Sequence, residues 1–200
     1  MEHQGAVVWF TGLPSSGKST IARSVYDQLL ERGCRAELLD GAEVRESLSQ
    51  GLGFSREDRE ANVRRIGYVA KLLSRNGVIA ICAAVSPYAA TRKEVRHNTT
   101  NFVEVYVECP PDVAAARDVD GMYARAKRGE IEEFTGVNAP YEAPQEPEVH
   151  IRSDVERVSN AAWKVVRSLE LIGIIAPDDG AAHLPDEDEI RRRLAALGYI

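Results

Sequence analysis

The chain has 200 residues, 44% of them hydrophobic and 28% charged, and a formal net charge of −6. This composition suits one globular domain able to bury a substantial core, and it excludes a disordered chain or a repeat array. The acidic balance argues against nucleic-acid and membrane-surface binding, both of which normally need a basic footprint.

The first predicted element is a strand over the apolar run Ala6 to Phe10, which leads straight into a glycine-bounded loop. Gly12, Gly17, Lys18 and Ser19 fill the fixed positions of the G-x-x-x-x-G-K-[ST] phosphate-binding motif, with Leu13, Pro14, Ser15 and Ser16 between the glycines. Glycines let such a loop curl so that backbone N–H groups meet phosphate oxygens, and the helix that follows adds its positive end. Lys18 is placed to reach the β- and γ-phosphates and Ser19 to ligate Mg²⁺. Thr20 adds a further hydroxyl nearby. A helix is predicted from Gly17 to Arg32, with Ile21, Val25 and Leu29 on one face and Gly33 as its stop.

Residues 35–40 read as a second strand, which would bring Asp40 to the carboxyl edge where open α/β sheets hold their ligands. A short helix is expected over 42–50 and a turn over 51–53. Ser55 then caps a helix that buries Val63, Ile66, Ala70 and Leu73 and ends at Gly77. Residues 78–85 are apolar on both faces, as in a central strand covered by helices on each side. A helix through Val95 and a strand over 102–108 follow. This alternation predicts a mostly parallel sheet with right-handed crossovers.

From Asp112 to Pro147 the pattern turns to mixed charge with glycines and prolines, which reads as a lid or a loose excursion. Within it, residues 117–141 are the candidate lid, with Arg117, Arg125, Lys127 and Arg128 beside Phe134. A last strand is expected over 149–151, then a helix capped at Ser153 with Val155, Val158, Ala162, Val165 and Leu169 inward. Residues 177–188 form an acidic linker before an amphipathic helix carrying Ile190, Leu194 and Leu197. The division expected is a domain over 1–176 and an appendage over 177–200. Cys34, Cys82 and Cys109 are odd in number and sit in or beside apolar runs, so buried free thiols in a reducing compartment are expected. The start of the chain lacks a leader pattern and no apolar run is long enough to span a bilayer, so a cytoplasmic protein is expected.

A phosphate loop leaves the acceptor undefined. Arg45, Arg59 and Asn62 are the best candidates to bind it. Arg59 and Asn62 share a helix face, and Phe54 lies just before them. A planar base could stack there while guanidinium groups hold anionic oxygens. Spacing alone leaves open that these are exposed arginines and a core phenylalanine.

The chain resembles the adenylylsulfate kinase family over residues 6 to about 152. The matching stretches are FTGLPSSGKST, LLDG followed by Val44 and Arg45, LGFSREDREANVRRIG, AVSPY, EVYVECP and RDVDGMYARAKRGEIEEFTGVNAPYEAP. The resemblance implies the P-loop kinase fold with a lid segment, and MgATP as phosphoryl donor to the 3′-hydroxyl of adenosine 5′-phosphosulfate in sulfate assimilation. It also implies a homodimer. Lys18, Asp40 and Ser86 are then catalytic candidates, with Ser19 and Asp40 at the metal. Arg45, Phe54, Arg59, Asn62, Ser86 and Phe134 match acceptor positions. For Ser86, a binding role and a covalent phosphoserine role both stand. Two departures count against full activity. Ala42 stands where the family usually has a second aspartate, with Glu43 a poor substitute, and Asp120 stands where lysine is common. Low turnover is therefore expected. The alternatives are a different nucleotide-like acceptor or a catalytically weak nucleotide-binding homologue.

Overall fold

The computed structural model describes residues 3–178 and 186–200, apart from the side chains of Ala42 and Arg45. Residues 179–185 of the expected acidic linker, and the Arg45 side chain expected at the acceptor site, lie outside the described residues.

Among the described residues the strands are β1 (Ala6–Thr11), β2 (Ala36–Asp40), β3 (Ile79–Ala83), β4 (Phe102–Glu108) and β5 (Val149–Arg152). The helices are α1 (Lys18–Glu31), α2 (Gly41–Glu46), α3 (Arg56–Arg75), α4 (Ala89–His97), α5 (Pro111–Ala116), α6 (Met122–Lys127), α7 (Val158–Leu171) and α8 (Glu187–Ala196). The strands form one sheet in the order β2-β3-β1-β4-β5, every pair parallel. Parallel neighbours cannot be joined by tight turns, so helices carry the crossovers and cover both faces.

β1 is central, and all of its residues are buried. Its pleat sends Ala6, Val8 and Phe10 to one face and Val7 and Trp9 to the other. Val8 lies in register with Ile81 of β3 and Val103 of β4. On the first face α1 contributes Ile21, Val25 and Leu29, and α7 contributes Ala162, Val165 and Leu169. On the second, Val63, Ile66 and Ala70 of α3 and Val95 of α4 pack on Trp9 and Cys82. Gly67 lets α3 and α4 meet closely, since a Cβ there would lie 2.7 Å from a Val95 methyl. Each fully buried Val, Leu or Ile contributes about 1.5–3 kcal/mol, and these two layers hold the sheet edge that carries the site.

Several boundaries differ from those read in the sequence. β3 ends at Ala83 and α2 at Glu46. α7 begins only at Val158, and Ser153 does not cap it. Instead, the Ser153 backbone N–H and hydroxyl both donate to the Glu108 carbonyl, at 3.0 and 3.1 Å, closing the end of β5 against β4. Val155 is left 67% exposed and Val158 40% exposed rather than inward. Ser55 does cap α3, accepting from the Asp58 N–H at 3.1 Å.

The excursion after β4 folds around its own small core of Cys109, Ala114, Tyr123, Ala126, Ile131 and Phe134. At the C-terminus, Ile190 and Leu194 of α8 are buried. An Arg167–Glu187 ion pair at 2.8 Å ties α8 to α7. Cys34, Cys82 and Cys109 are free and buried. Among the described residues no helix is long and apolar enough to cross a membrane.

Candidate active site

The loop between β1 and α1 is set by backbone sterics. A Cβ on Gly12 would lie 2.4 Å from the Val107 carbonyl oxygen, so the chain leaves β1 pressed against the end of β4. Gly17 at φ 94° and Ser15 at φ 58° turn the loop through left-handed conformations that close on the first turn of α1. The N–H groups of that turn have no intrahelical acceptor and carry the positive end of the helix. Lys18 is only 7% exposed and lies against its own loop, donating to the Leu13 carbonyl at 2.6 Å and the Ser16 hydroxyl at 3.3 Å. Burial lowers its pKa to about 8, against the opposing pull of the Asp40 charge. An anion in the loop would supply the missing countercharge.

Beside the loop opens a cavity of about 440 Å³. Pro14, Ser15, Lys18 and Ser19 form its phosphate side, and Asp40 reaches it from the carboxyl end of β2. Phe54, Arg59 and Asn62 line it from the start of α3, Ser86 from the segment after β3, and Phe134 from the excursion. Gly12, Leu13, Ser16 and Gly17 shape the loop without lining the cavity, and Thr20 is exposed outside it. Ten of the residues predicted from sequence thus share one cavity.

Arg59 is buried to 7% exposure, so it is not one of the exposed arginines that spacing left open. Its Nε donates to the Phe54 carbonyl at 2.9 Å and its Nη2 to the Glu133 carbonyl at 2.7 Å, and its guanidinium lies 5.3 Å from the Phe54 ring centre. One cation therefore joins the start of α3 to the excursion, because Glu133 is held at φ 55° directly before Phe134. The Asn62 carboxamide oxygen accepts from the Ser49 hydroxyl. Phe134, 3% exposed, meets the Tyr123 ring edge-on at 5.0 Å, and the Tyr123 hydroxyl donates to the Pro14 carbonyl at 2.9 Å. The excursion is thereby fastened to the phosphate loop itself. Gly136 packs so closely that a Cβ there would lie 2.9 Å from the Leu13 side chain.

Ser86 sits at φ 40°, a strained conformation for a residue with a side chain. The Trp9 indole N–H donates to its hydroxyl at 3.0 Å, and the hydroxyl in turn donates to Thr11 Oγ1 at 3.0 Å. Thr11 passes its own proton to the Val85 carbonyl at 2.8 Å. Among the described residues no carboxylate, imidazole or amine hydrogen-bonds to the Ser86 hydroxyl, so it lacks the base that activates a nucleophilic serine.

The basic residues of the excursion lie elsewhere than the cavity. Arg117 donates to the Ser153 carbonyl at 2.9 Å, and Arg125 and Arg128 pair with Glu130 on the surface at 3.5 and 2.5 Å. The cavity wall from this segment is instead Asp118, Asp120, Met122 and Phe134. Thr11, Tyr123 and Tyr141 were not singled out in the sequence. Tyr141, whose hydroxyl lies 2.9 Å from Thr11 Oγ1, is 130 positions away, and only the fold brings the two together.

A parallel sheet in this order, a phosphate loop joining its central strand to the first helix and a cavity beside that loop walled by a folded excursion define a P-loop kinase. Residues 4–152 match the family described as adenylylsulphate kinase. The adenylyl-sulfate kinase of Picosynechococcus sp. is 50% identical over 88% of this chain and 100% of its own length. That of Deinococcus deserti is 55% identical over 75% of this chain and 83% of its own length. The Mycobacterium tuberculosis APS kinase CysC, solved in complex with AMPPNP and APS, superposes with a TM-score of 0.81 at 39% identity, over 84% of this chain and 99% of that one. The chain belongs to the adenylylsulfate kinase family, and it is an enzyme of the phosphotransferase type.

Proposed function

We propose that the chain transfers the γ-phosphoryl group of ATP to the 3′-hydroxyl of adenosine 5′-phosphosulfate, giving 3′-phosphoadenosine 5′-phosphosulfate and ADP in sulfate activation. The observation that carries this reading is the cavity itself, in which a phosphate loop faces an aromatic and guanidinium wall made by Phe54, Arg59 and Phe134. A nucleotide acceptor has a flat base for the rings and anionic oxygens for the cation, and the relatives named above act on or bind adenylylsulfate.

The chain's own groups then divide the work of positioning and charge compensation on which phosphoryl transfer depends. The loop amides and Lys18 hold the transferring phosphates. The entering anion favours the charged form of Lys18. Phe54 and Phe134 clamp the base, while Arg59, Asn62 and Arg45 bind the acceptor's polar groups. Ser86 acts as a binding group held by Trp9 and Thr11, its hydroxyl having Thr11 Oγ1 and the Ala84 carbonyl as acceptors at 3.0 and 3.3 Å.

The Ser19 hydroxyl and the Asp40 carboxylate face the same cavity and are both hard oxygen donors. Among the described residues no three His, Cys, Asp or Glu side chains gather as a metal site. Two oxygen donors completed by phosphate oxygens and water suit Mg²⁺. When bound with ATP, the ion neutralises charge on the phosphates. The excursion serves as the lid. A cytoplasmic homodimer fits the family resemblance, and light scattering on the full chain tests the dimer.

Asp120 on the cavity wall favours a second reading, in which a carboxylate near the acceptor slows turnover or favours a less anionic nucleotide. A coupled assay of ADP release with adenylylsulfate and a panel of other nucleotides separates the two. Release that depends on adenylylsulfate is expected, and equal stimulation by unrelated nucleotides would overturn the main reading.

A further inference from the structure

Behind Ser86 lies a buried charged network that the phosphoryl-transfer groups do not include. Arg92 of α4 is 3% exposed and spends its guanidinium on three elements. Nη1 donates to the Ser86 carbonyl at 2.7 Å, Nη2 to the Glu142 carbonyl at 2.7 Å, and Nε to Glu104 Oε1 at 2.8 Å. It thus ties the strained acceptor-side residue to the far end of the lid and to β4. The cage continues one helical turn further along. Arg96 reaches Glu104 Oε2 at 3.4 Å and grips both oxygens of Glu148, at 2.6 and 2.9 Å. Glu148 also accepts from the Glu104 backbone N–H at 2.6 Å. Two guanidinium groups face two carboxylates, so the buried charges balance.

The last member comes from the C-terminus. The Tyr199 hydroxyl donates to Glu148 Oε1 at 2.8 Å, with the Phe102 carbonyl a second acceptor at 3.2 Å. Burial and the Glu148 charge push Tyr199 up to about 12, so the hydroxyl remains a donor at neutral pH. Arg193 of α8 donates to the Pro147 carbonyl at 3.3 Å, next to Glu148. Residues 186–200 lie beyond the stretch that matches the family, which ends at residue 152.

We propose that Arg92 is a positioning residue for the acceptor side of the cleft, fixing the Ser86 carbonyl and the lid end at Glu142, and that Tyr199 completes the carboxylate cage holding Arg92 and Arg96 in place. The C-terminal segment thereby tunes acceptor binding and leaves the ATP side alone. Removing one partner of such a cage leaves buried charge under-compensated, so the effect passes along it.

The kinetic part rests on the proposed function above, and a second readout is independent of it. Tyr199→Phe removes only the hydroxyl of a side chain at the surface and keeps the fold, while Arg92→Met removes the hub. In steady-state kinetics the KM for adenylylsulfate is expected to rise about threefold in Tyr199→Phe and about tenfold or more in Arg92→Met, with the KM for ATP within about twofold of native. Backbone hydrogen exchange over residues 84–88 and 141–143 is expected to quicken in both variants, with the phosphate loop unchanged. Equal rises in both KM values would overturn the proposal, as would native exchange over 84–88 in either variant. If the native chain did not turn over adenylylsulfate, the functional reading would fall, while the exchange measurement would still decide the role of Arg92 and Tyr199.

Discussion

Replacing Phe134 tests whether the roof of the cavity recognises a base. The ring is 3% exposed and meets Tyr123 edge-on at 5.0 Å and 77°, so any substitution also disturbs the lid core. Phe134→Ala would remove about 3–5 kcal/mol of packing if the site could not collapse, which confounds lid stability with binding. Phe134→Leu is cleaner. It keeps most of the apolar volume, at a packing cost below about 1.5 kcal/mol, plus about 0.5–1.5 kcal/mol for the lost ring pair. The lost stacking face should cost a further 1–3 kcal/mol or so in acceptor binding, which corresponds to an adenylylsulfate Kd weaker by about 5- to 150-fold. On the proposed reading ADP binds at the phosphate loop, so its Kd should hold. Calorimetric titration of adenylylsulfate into the ADP-loaded protein, beside ADP into the free protein, reads both. An acceptor Kd within about twofold of native, or equal losses for both ligands, would refute the argument.

Lys18 predicts a proton uptake. Its pKa in the free protein lies near 8, below its ordinary 10.5, and a polyphosphate in the loop favours the charged form. ADP binding at pH 9 should therefore take up a proton, seen as a binding enthalpy that varies with buffer ionisation heat, and ADP affinity should fall as pH rises through about 8. Stability carries the opposite sign. The folded protein binds fewer protons on this group than the unfolded chain between about 8 and 10.5, so this contribution to stability rises with pH across that window. Buffer-independent enthalpies at pH 9 would count against the assignment. Ala42→Asp should raise kcat by about tenfold, or ~1.4 kcal/mol, if a missing carboxylate limits the chemistry, and Asp120→Lys should lower the KM for adenylylsulfate; unchanged kinetics in both would remove the low-turnover expectation. Gly12→Ala forces a Cβ to 2.4 Å from the Val107 carbonyl, so both thermal stability and ADP binding should drop together in a thermal-shift titration.

The parts of the molecule that could be read in the sequence are those whose causes are local. The β1–loop–α1 unit combines a fixed-spacing motif with helical periodicity, and Ile21, Val25 and Leu29 are buried as the spacing requires. Ser55 caps its helix through a contact local in sequence, accepting from the Asp58 N–H. Ser153 matched a similar pattern, with Glu156 three positions on, yet Glu156 folds back to accept from the Arg152 N–H at 2.6 Å and Ser153 is taken by Glu108. A long-range strand contact won over a local cap, and no spacing rule reveals that. The arginines of the excursion stand beside Phe134 in the candidate lid by sequence, whereas pairing with Glu130 and Ser153 points them away from the cavity. Arg92 and Tyr199 lie outside the matching stretches and Thr11 and Tyr141 inside two of them, yet the contacts of all four exist only across the fold.

The central claim is that one phosphoryl group moves from ATP to the 3′-hydroxyl of adenosine 5′-phosphosulfate. The most direct measurement is to incubate the native chain with MgATP and adenylylsulfate and identify the nucleotide products by phosphorus NMR and mass spectrometry. The account predicts 3′-phosphoadenosine 5′-phosphosulfate and ADP in equal amounts, with the new phosphate as a 3′-monoester. ADP formed without a phosphorylated acceptor, or a phosphate placed elsewhere on the nucleotide, would contradict it.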